Sequence, residues 1–185
     1  MMMTWFLFFR HSAFTGRAAL ILAAAFSLGA AQAPLLTDEL PRESVLPLSL
    51  ASKAASAAVE QCRQDGYRVS AAVVDRGGVL RVLMRGDGAG PHTTDSSTKK
   101  AYTALSLRRP TSEMAELIAK MPAIQALRDM NDQILILGGG LPIEINGEVV
   151  GGIGVGGAPG GHLDDRCAQA GLNAIAAAPQ IGKEK

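Results

Sequence analysis

Asn146-Gly147 stands between two β-rich runs, Leu141 to Ile145 and Glu148 to Val155. A tight type I′ turn needs positive φ at both central residues, and Asn-Gly is the pair that tolerates it, so this dipeptide commits the last third of the chain to a β-hairpin. Arg76-Gly77-Gly78 does the same between Val69 to Asp75 and Val79 to Arg85. A carboxylate beside such a turn, here Asp75, reads as an acceptor for turn amides. Ile134 to Leu137 is a further short apolar run, broken by Gly138-Gly139-Gly140, and it brings the expected strands to five.

Elsewhere the apolar period changes from two to about 3.6 residues. Ser49 offers an N-cap to a helix over Leu50 to Asp65, with Leu50, Ala54, Ala57, Ala58 and Cys62 on one face and Gly66 as its stop. Thr94 or Asp95 caps a second helix to about Leu107, burying Ser97, Ala101, Ala104 and Leu105. That helix must end before Pro110, because the residue preceding proline avoids the α region. Thr111 caps a third, with Glu113 where the helix dipole favours an acid; Pro122 ends it and opens a short helical or irregular piece to Asp132. His162 to Ala178 forms a closing helix with Ala168, Leu172, Ile175 and Ala176 on one face. The order predicts an α+β fold, a five-stranded antiparallel sheet flanked by helices. Aromatic residues make up only 4% of the chain, so its core is built from small aliphatic residues and glycine, which let helix and sheet approach closely.

Residues 1–33 stand apart. Arg10 and Arg17 precede an unbroken apolar run, Ala18 to Leu28, that ends in small residues, the pattern of a secretory signal peptide. The run is shorter than the roughly 20 residues that span a bilayer. Residues 34–47, with Pro34, Pro41 and Pro47, form an extended segment, and 48–180 a single domain. The expected location is periplasmic or secreted, with no membrane span once the signal is removed. Removal takes away Arg10 and Arg17 and no acid, so the formal charge falls from +1 to −1. Such a balance excludes nucleic acid, which needs a basic stripe. Export to an oxidising compartment would allow Cys62 and Cys167 to pair; two buried thiols on separate helices are the other reading.

Gly152 to Gly157 fits G-x-G-x-x-G, but a dinucleotide site needs a parallel strand and an acid about 20 residues on, where this chain has Ala177. No G-x-S-x-G nucleophile elbow and no zinc-ligand spacing occur. What remains is His92 and His162, each at a Gly-rich start of a helix. Neutral imidazole is the commonest metal ligand and a usual axial ligand to haem iron; taken alone, both residues read first as loop histidines in water. Lys99, Lys100, Arg85 and Arg109 are either partners for haem propionates or solvent-facing charges. Glycines such as Gly154 let another backbone or a flat ligand approach a strand.

From Val69 through Ala176 the chain resembles the GlcG/HbpS-type haem-binding family, also called haem-degrading or corrinoid-accessory. The resemblance rests on Val74-Asp75-Arg76-Gly77-Gly78, Arg85 to Ala89, Asp95 with Lys99-Lys100-Ala101-Tyr102-Thr103-Ala104, Gly138 to Ile143, Val150 to Gly157 and Asp165 to Ala168. It implies a profilin-like α/β fold in dimers or larger homo-oligomers, binding haem or another tetrapyrrole, with haem or iron handling or redox sensing as the role. It implies His92 as axial ligand; with the residue reading this gives a haem site with His162 as a weaker candidate ligand, Arg85 and Lys99 or Lys100 near propionates, and Gly154 in the strand facing the macrocycle. Two other functions fit the residues: an enzyme or accessory protein for a small organic acid, with Asp75, Arg85 and His92 as polar pocket residues, and a non-catalytic oligomeric scaffold.

Overall fold

Four antiparallel strands form the centre of the computed structural model of this chain, which describes residues 42–176. The expected signal peptide, residues 1–33, and residues 34–41 and 177–185 lie outside the described residues. In chain order the elements are α1 (Leu48–Gln64), β1 (Ser70–Asp75), β2 (Leu80–Arg85), α2 (His92–Leu107), α3 (Thr111–Lys120), a 3-10 turn (Pro122–Asp129), β3 (Gly140–Ile145), β4 (Glu148–Gly156) and α4 (Gly161–Ala176). The sheet runs β2-β1-β4-β3, every neighbour antiparallel. Both expected hairpins are present. Asn146 and Gly147 have φ of 54° and 79°, and Asp75 Oδ1 accepts the amides of Gly77 and Val79 at 3.0 and 3.1 Å.

The expected fifth strand is absent among the described residues. Ile134 to Leu137 is apolar because Ile134 and Ile136 pack with Met114 and Ile118 of α3 in a small second core, not because it joins a ladder. Its backbone is satisfied by side chains instead: the Leu135 amide donates to Thr103 Oγ1 at 2.8 Å, and the Leu137 carbonyl accepts from Thr111 Oγ1 at 2.7 Å. The expected hydroxyl caps are also displaced. Helices α1, α2 and α3 begin directly after Pro47, Pro91 and Pro110, and none has a side-chain cap. Proline's fixed φ and missing amide suit a helix start, so each helix begins before the Ser or Thr expected to cap it or at that Thr itself. Ala176, expected on the buried face of α4, is exposed.

Alternate residues of each strand serve two layers. Val69, Ala71, Val73, Leu141, Ile143, Ile153 and Val155 form the main core with Ala51, Ala54, Ala55 and Ala58 of α1 and with Cys167 and Ala168 of α4. Each fully buried Val or Ile in that set contributes roughly 1.5–3 kcal/mol. The other face meets α2, where Val74 packs on Ala101 and Leu105. Cys62 of α1 and Cys167 of α4 are joined in a disulfide with Cα atoms 5.5 Å apart. Residues 42–47 lie against the sheet: Leu46 is buried in the main core, and Ser44 Oγ donates to Glu148 Oε2 at 2.6 Å. Among the described residues no helix is long and apolar enough to cross a membrane.

Candidate functional site

Strand β4 carries glycine on its α2 face, and α2 rests directly on those positions. A Cβ on Gly152 would overlap the Ala101 carbonyl oxygen, and one on Gly154 the Ser97 carbonyl oxygen. The space that glycine opens along β4 is therefore filled by the α2 backbone, and Gly154 offers no slot to a flat macrocycle. This corrects the expectation that this strand faces a ligand.

Close docking also decides which side of α2 is free. Thr93, Ser97, Lys100, Ala101 and Ala104 share the buried stripe, whereas His92 is exposed and Asp95 and Lys99 fall on the same outer stripe. Lys100, expected to meet propionates, is 2% exposed. Its Nζ donates to Asp164 Oδ2 of α4 at 2.8 Å and to the Val155 carbonyl at 2.9 Å, and Asp164 Oδ1 accepts the Ala158 amide at 3.0 Å. Burial pushes the Asp164 carboxyl above its ordinary range, with Lys100 and the Ala158 amide pulling the other way. Lys100 is thus a pin between α2, β4 and α4. Lys99 is half-buried and pairs with Asp95 at 3.2 Å.

The first residue of β1 gathers the remaining candidates. Ser70 pairs across the sheet with Arg85 on one side and Gly156 on the other. Its hydroxyl lies 2.7 Å from Thr93 Oγ1, which docks the first turn of α2, and with it His92, onto this end of the sheet. The turn between β2 and α2 is held by Arg85, whose Nε and Nη2 both donate to the Ala89 carbonyl, at 3.0 and 2.5 Å. The His92 ring folds back over Gly90, and His162 folds over Gly160 in the same way at the start of α4. Asp75 is elsewhere. It ends β1 five residues from Ser70, about 17 Å along an extended strand, so the set Asp75, Arg85 and His92 is not brought together. Among the described residues no three His, Cys, Asp or Glu side chains converge on a metal position.

Two concavities stand out among the described residues. The larger, about 600 Å3, is at the other end of the sheet, between the β3–β4 hairpin and α4, and includes Leu50, Ile143, Ile145 and Leu172. The smaller, about 370 Å3, adjoins the Ser70 end and is lined by Arg63, Tyr67, Arg68, Arg85 and Asp87 among others. Arg68 escaped the sequence reading because nothing in local spacing signals it; only the fold sets the loop after α1 beside the turn after β2.

Residues 46–173 match a family described as haem degrading protein HbpS-like. An uncharacterised 15.0 kDa protein of the dhaT-dhaS intergenic region of Citrobacter freundii is 36% identical over 115 residues, 62% of this chain and 81% of that protein. A double mutant of HbpS from Streptomyces reticuli has a solved structure 49% identical, covering 73% of this chain and 90% of that one, with a TM-score of 0.68. A PduOC:heme complex is 25% identical, covering 71% and 95%, with a TM-score of 0.65.

Proposed function

The chain belongs to the HbpS-like family, and on that premise we propose that it binds haem or a related tetrapyrrole at the Ser70 end of the sheet, with His92 as axial ligand. The observation that carries this reading is the His92 imidazole. It is a nitrogen donor exposed on the first turn of α2, on a helix that the Ser70–Thr93 contact fixes to the sheet. Lys99, two turns along the same stripe, and Arg85, at the end of β2 beside the turn into α2, would supply cations for propionates. His162 is a second candidate ligand; Lys100 and Gly154 are engaged inside the protein. Bound haem would supply a redox-active iron, for a role in haem or iron handling or in redox sensing. The solved PduOC:heme complex in a related chain supports a tetrapyrrole as the ligand.

Haem titration tests the proposal. The mature protein should develop a Soret band at stoichiometric haem, and His92→Ala should shift or lose it. An unchanged band in the variant removes His92 as ligand, and no band in either protein removes haem.

Export to the periplasm or medium is part of the same reading. It is supported by the basic and apolar pattern of residues 1–33 and by the Cys62–Cys167 bridge, since such bridges form in oxidising compartments. Mass spectrometry of the secreted or periplasmic fraction should show an N-terminus near residue 32 or 34. Assembly into dimers or larger homo-oligomers is supported by Val79, Leu80 and Leu83, exposed apolar side chains at the start of β2 and along it, a strand at the edge of the sheet. Light scattering would report a mass above that of one chain.

A further inference from the structure

The smaller concavity gathers more positive than negative charge. Three guanidinium groups, Arg63, Arg68 and Arg85, share its wall with the Tyr67 ring, Val59 and a single acid, Asp87. The chain as a whole is nearly balanced, with 18 basic and 17 acidic residues. Elsewhere Arg76, Arg81, Lys99, Lys100, Lys120 and Arg166 each meet a carboxylate, whereas Arg42, Lys53, Arg108, Arg109 and Arg128 meet none among the described residues but stand outside this concavity.

Inside the pocket the pairing differs from cation to cation. Arg63 is held by Glu60, whose carboxyl it pulls down to about 2, first by hydrogen bonding. Arg85 is steered by a neutral acceptor, the Ala89 carbonyl, so its charge is positioned without being cancelled. Arg68 has no carboxylate within ion-pair reach among the described residues. Its stem lies across Gly88, where φ is +75° and a Cβ would stand 3.0 Å from Arg68 Cδ. That turn needs glycine for its backbone, and the bare Cα lets the arginine stem lie close against it. A guanidinium presents paired N–H donors in the plane and at the spacing of a carboxylate. Val59 and the Tyr67 ring supply an apolar wall for the carbon skeleton that carries it.

We infer that this pocket is a carboxylate-binding site, with Arg68 as its principal cation and Arg85 as its second. On haem held at His92 the carboxylate is a propionate, and this version rests on the haem-binding reading. On a small organic acid it is the acid's own group, and this version does not need haem.

The two sources separate in one set of measurements on the full mature chain. Haem and haem dimethyl ester are titrated into the parent, Arg68→Ala and Arg68→Lys, and thermal shifts are recorded with succinate and with dimethyl succinate. If the carboxylate is a propionate, the parent binds haem more tightly than the diester, on the order of tenfold for one charge-assisted pair. Arg68→Ala then loses that preference and Arg68→Lys keeps part of it. If the carboxylate belongs to a small acid, succinate raises the parent's melting temperature, its diester does not, and the rise is lost in Arg68→Ala. The inference is overturned if neither ligand distinguishes acid from ester, or if the distinction persists in Arg68→Ala. In that event a Soret band with equal affinity for haem and diester leaves the haem reading standing, and the absence of any band removes both. Unliganded melting curves of the variants establish that each is folded.

Discussion

At Gly154 a single hydrogen atom sets the distance between sheet and helix. A methyl group there would overlap the Ser97 carbonyl oxygen, and neither neighbour is a flexible side chain that can swing away. Gly154→Ala should therefore cost at least the roughly 1–3 kcal/mol typical of overpacking, seen as a lower midpoint in urea with the fold otherwise intact. An unchanged midpoint would mean that α2 can lift off β4 freely. Lys100 makes the opposite case, a large polar side chain whose removal leaves a buried carboxylate alone. Lys100→Met should cost roughly 3–5 kcal/mol near neutral pH. The pH dependence has a definite sign. Burial raises the folded Asp164 above its ordinary value of 3.8, so its proton is held more tightly in the folded state. Its contribution to stability is full below that ordinary value and is lost as pH rises through the folded one. Without Lys100 the carboxyl rises further, so the variant should lose stability more steeply between the acid range and neutrality than its parent, in urea titrations across pH. Gly154 was legible as a close-approach glycine, but whether a ligand or a helix filled the space depends on α2. Lys100 lay three residues from Ser97 on the predicted buried stripe; its charge argued for the surface, and the partner that permits burial, Asp164, is 64 residues away.

Element by element, the hairpins were legible because turn chemistry is local: Asn146-Gly147 and Arg76-Gly77-Gly78 need no distant partner to dictate their geometry. Ile134 to Leu137 was misread because an apolar run of four residues has no period of its own, and its hydrogen bonds go to Thr103 and Thr111, on helices the sequence does not place beside it. The segment 42–47 was expected to be extended, and what fixes its described residues is a tertiary cluster. Glu148 accepts from Ser44, pairs with Arg76, and is held below its ordinary carboxyl value by Ser44 first and Arg76 second; Arg76 also lies 3.6 Å from Glu43. A depressed carboxyl contributes stability above its ordinary value of 4.5, and that contribution is lost as pH falls through the lower, folded value. Glu148→Gln should melt below the parent at neutral pH, and the two curves should converge as pH drops under 4.5. Curves that stay parallel across that range would show that the cluster does not tie this segment down.

For the molecule as a whole the decisive link is Cys62–Cys167. Whether the two sulfurs pair depends on how α1 and α4 lie on one face of the sheet, and no spacing along the chain conveys it; the sequence left both a bridge and two buried thiols open, and favoured the thiols. The bridge spans 105 residues, most of the described chain, so in the chain-entropy view it restricts the unfolded state strongly, by roughly 4–5 kcal/mol before any strain in the folded state. Both cysteines are fully buried, at 0% exposure, beneath helices that also carry the main core. Reduction therefore requires the sulfurs to be uncovered first, and attack on a disulfide needs access for the incoming thiolate. Under native conditions dithiothreitol should leave the bridge intact over hours, while the same reagent in denaturing urea should open it completely, as counted by alkylation and mass spectrometry. The doubly substituted Cys62→Ser, Cys167→Ser protein should unfold at lower urea than the oxidised parent, by the equivalent of roughly 2–5 kcal/mol. Rapid reduction of the native protein would show that α1 and α4 separate without global unfolding, and the main core would then have to be regarded as two units that open independently.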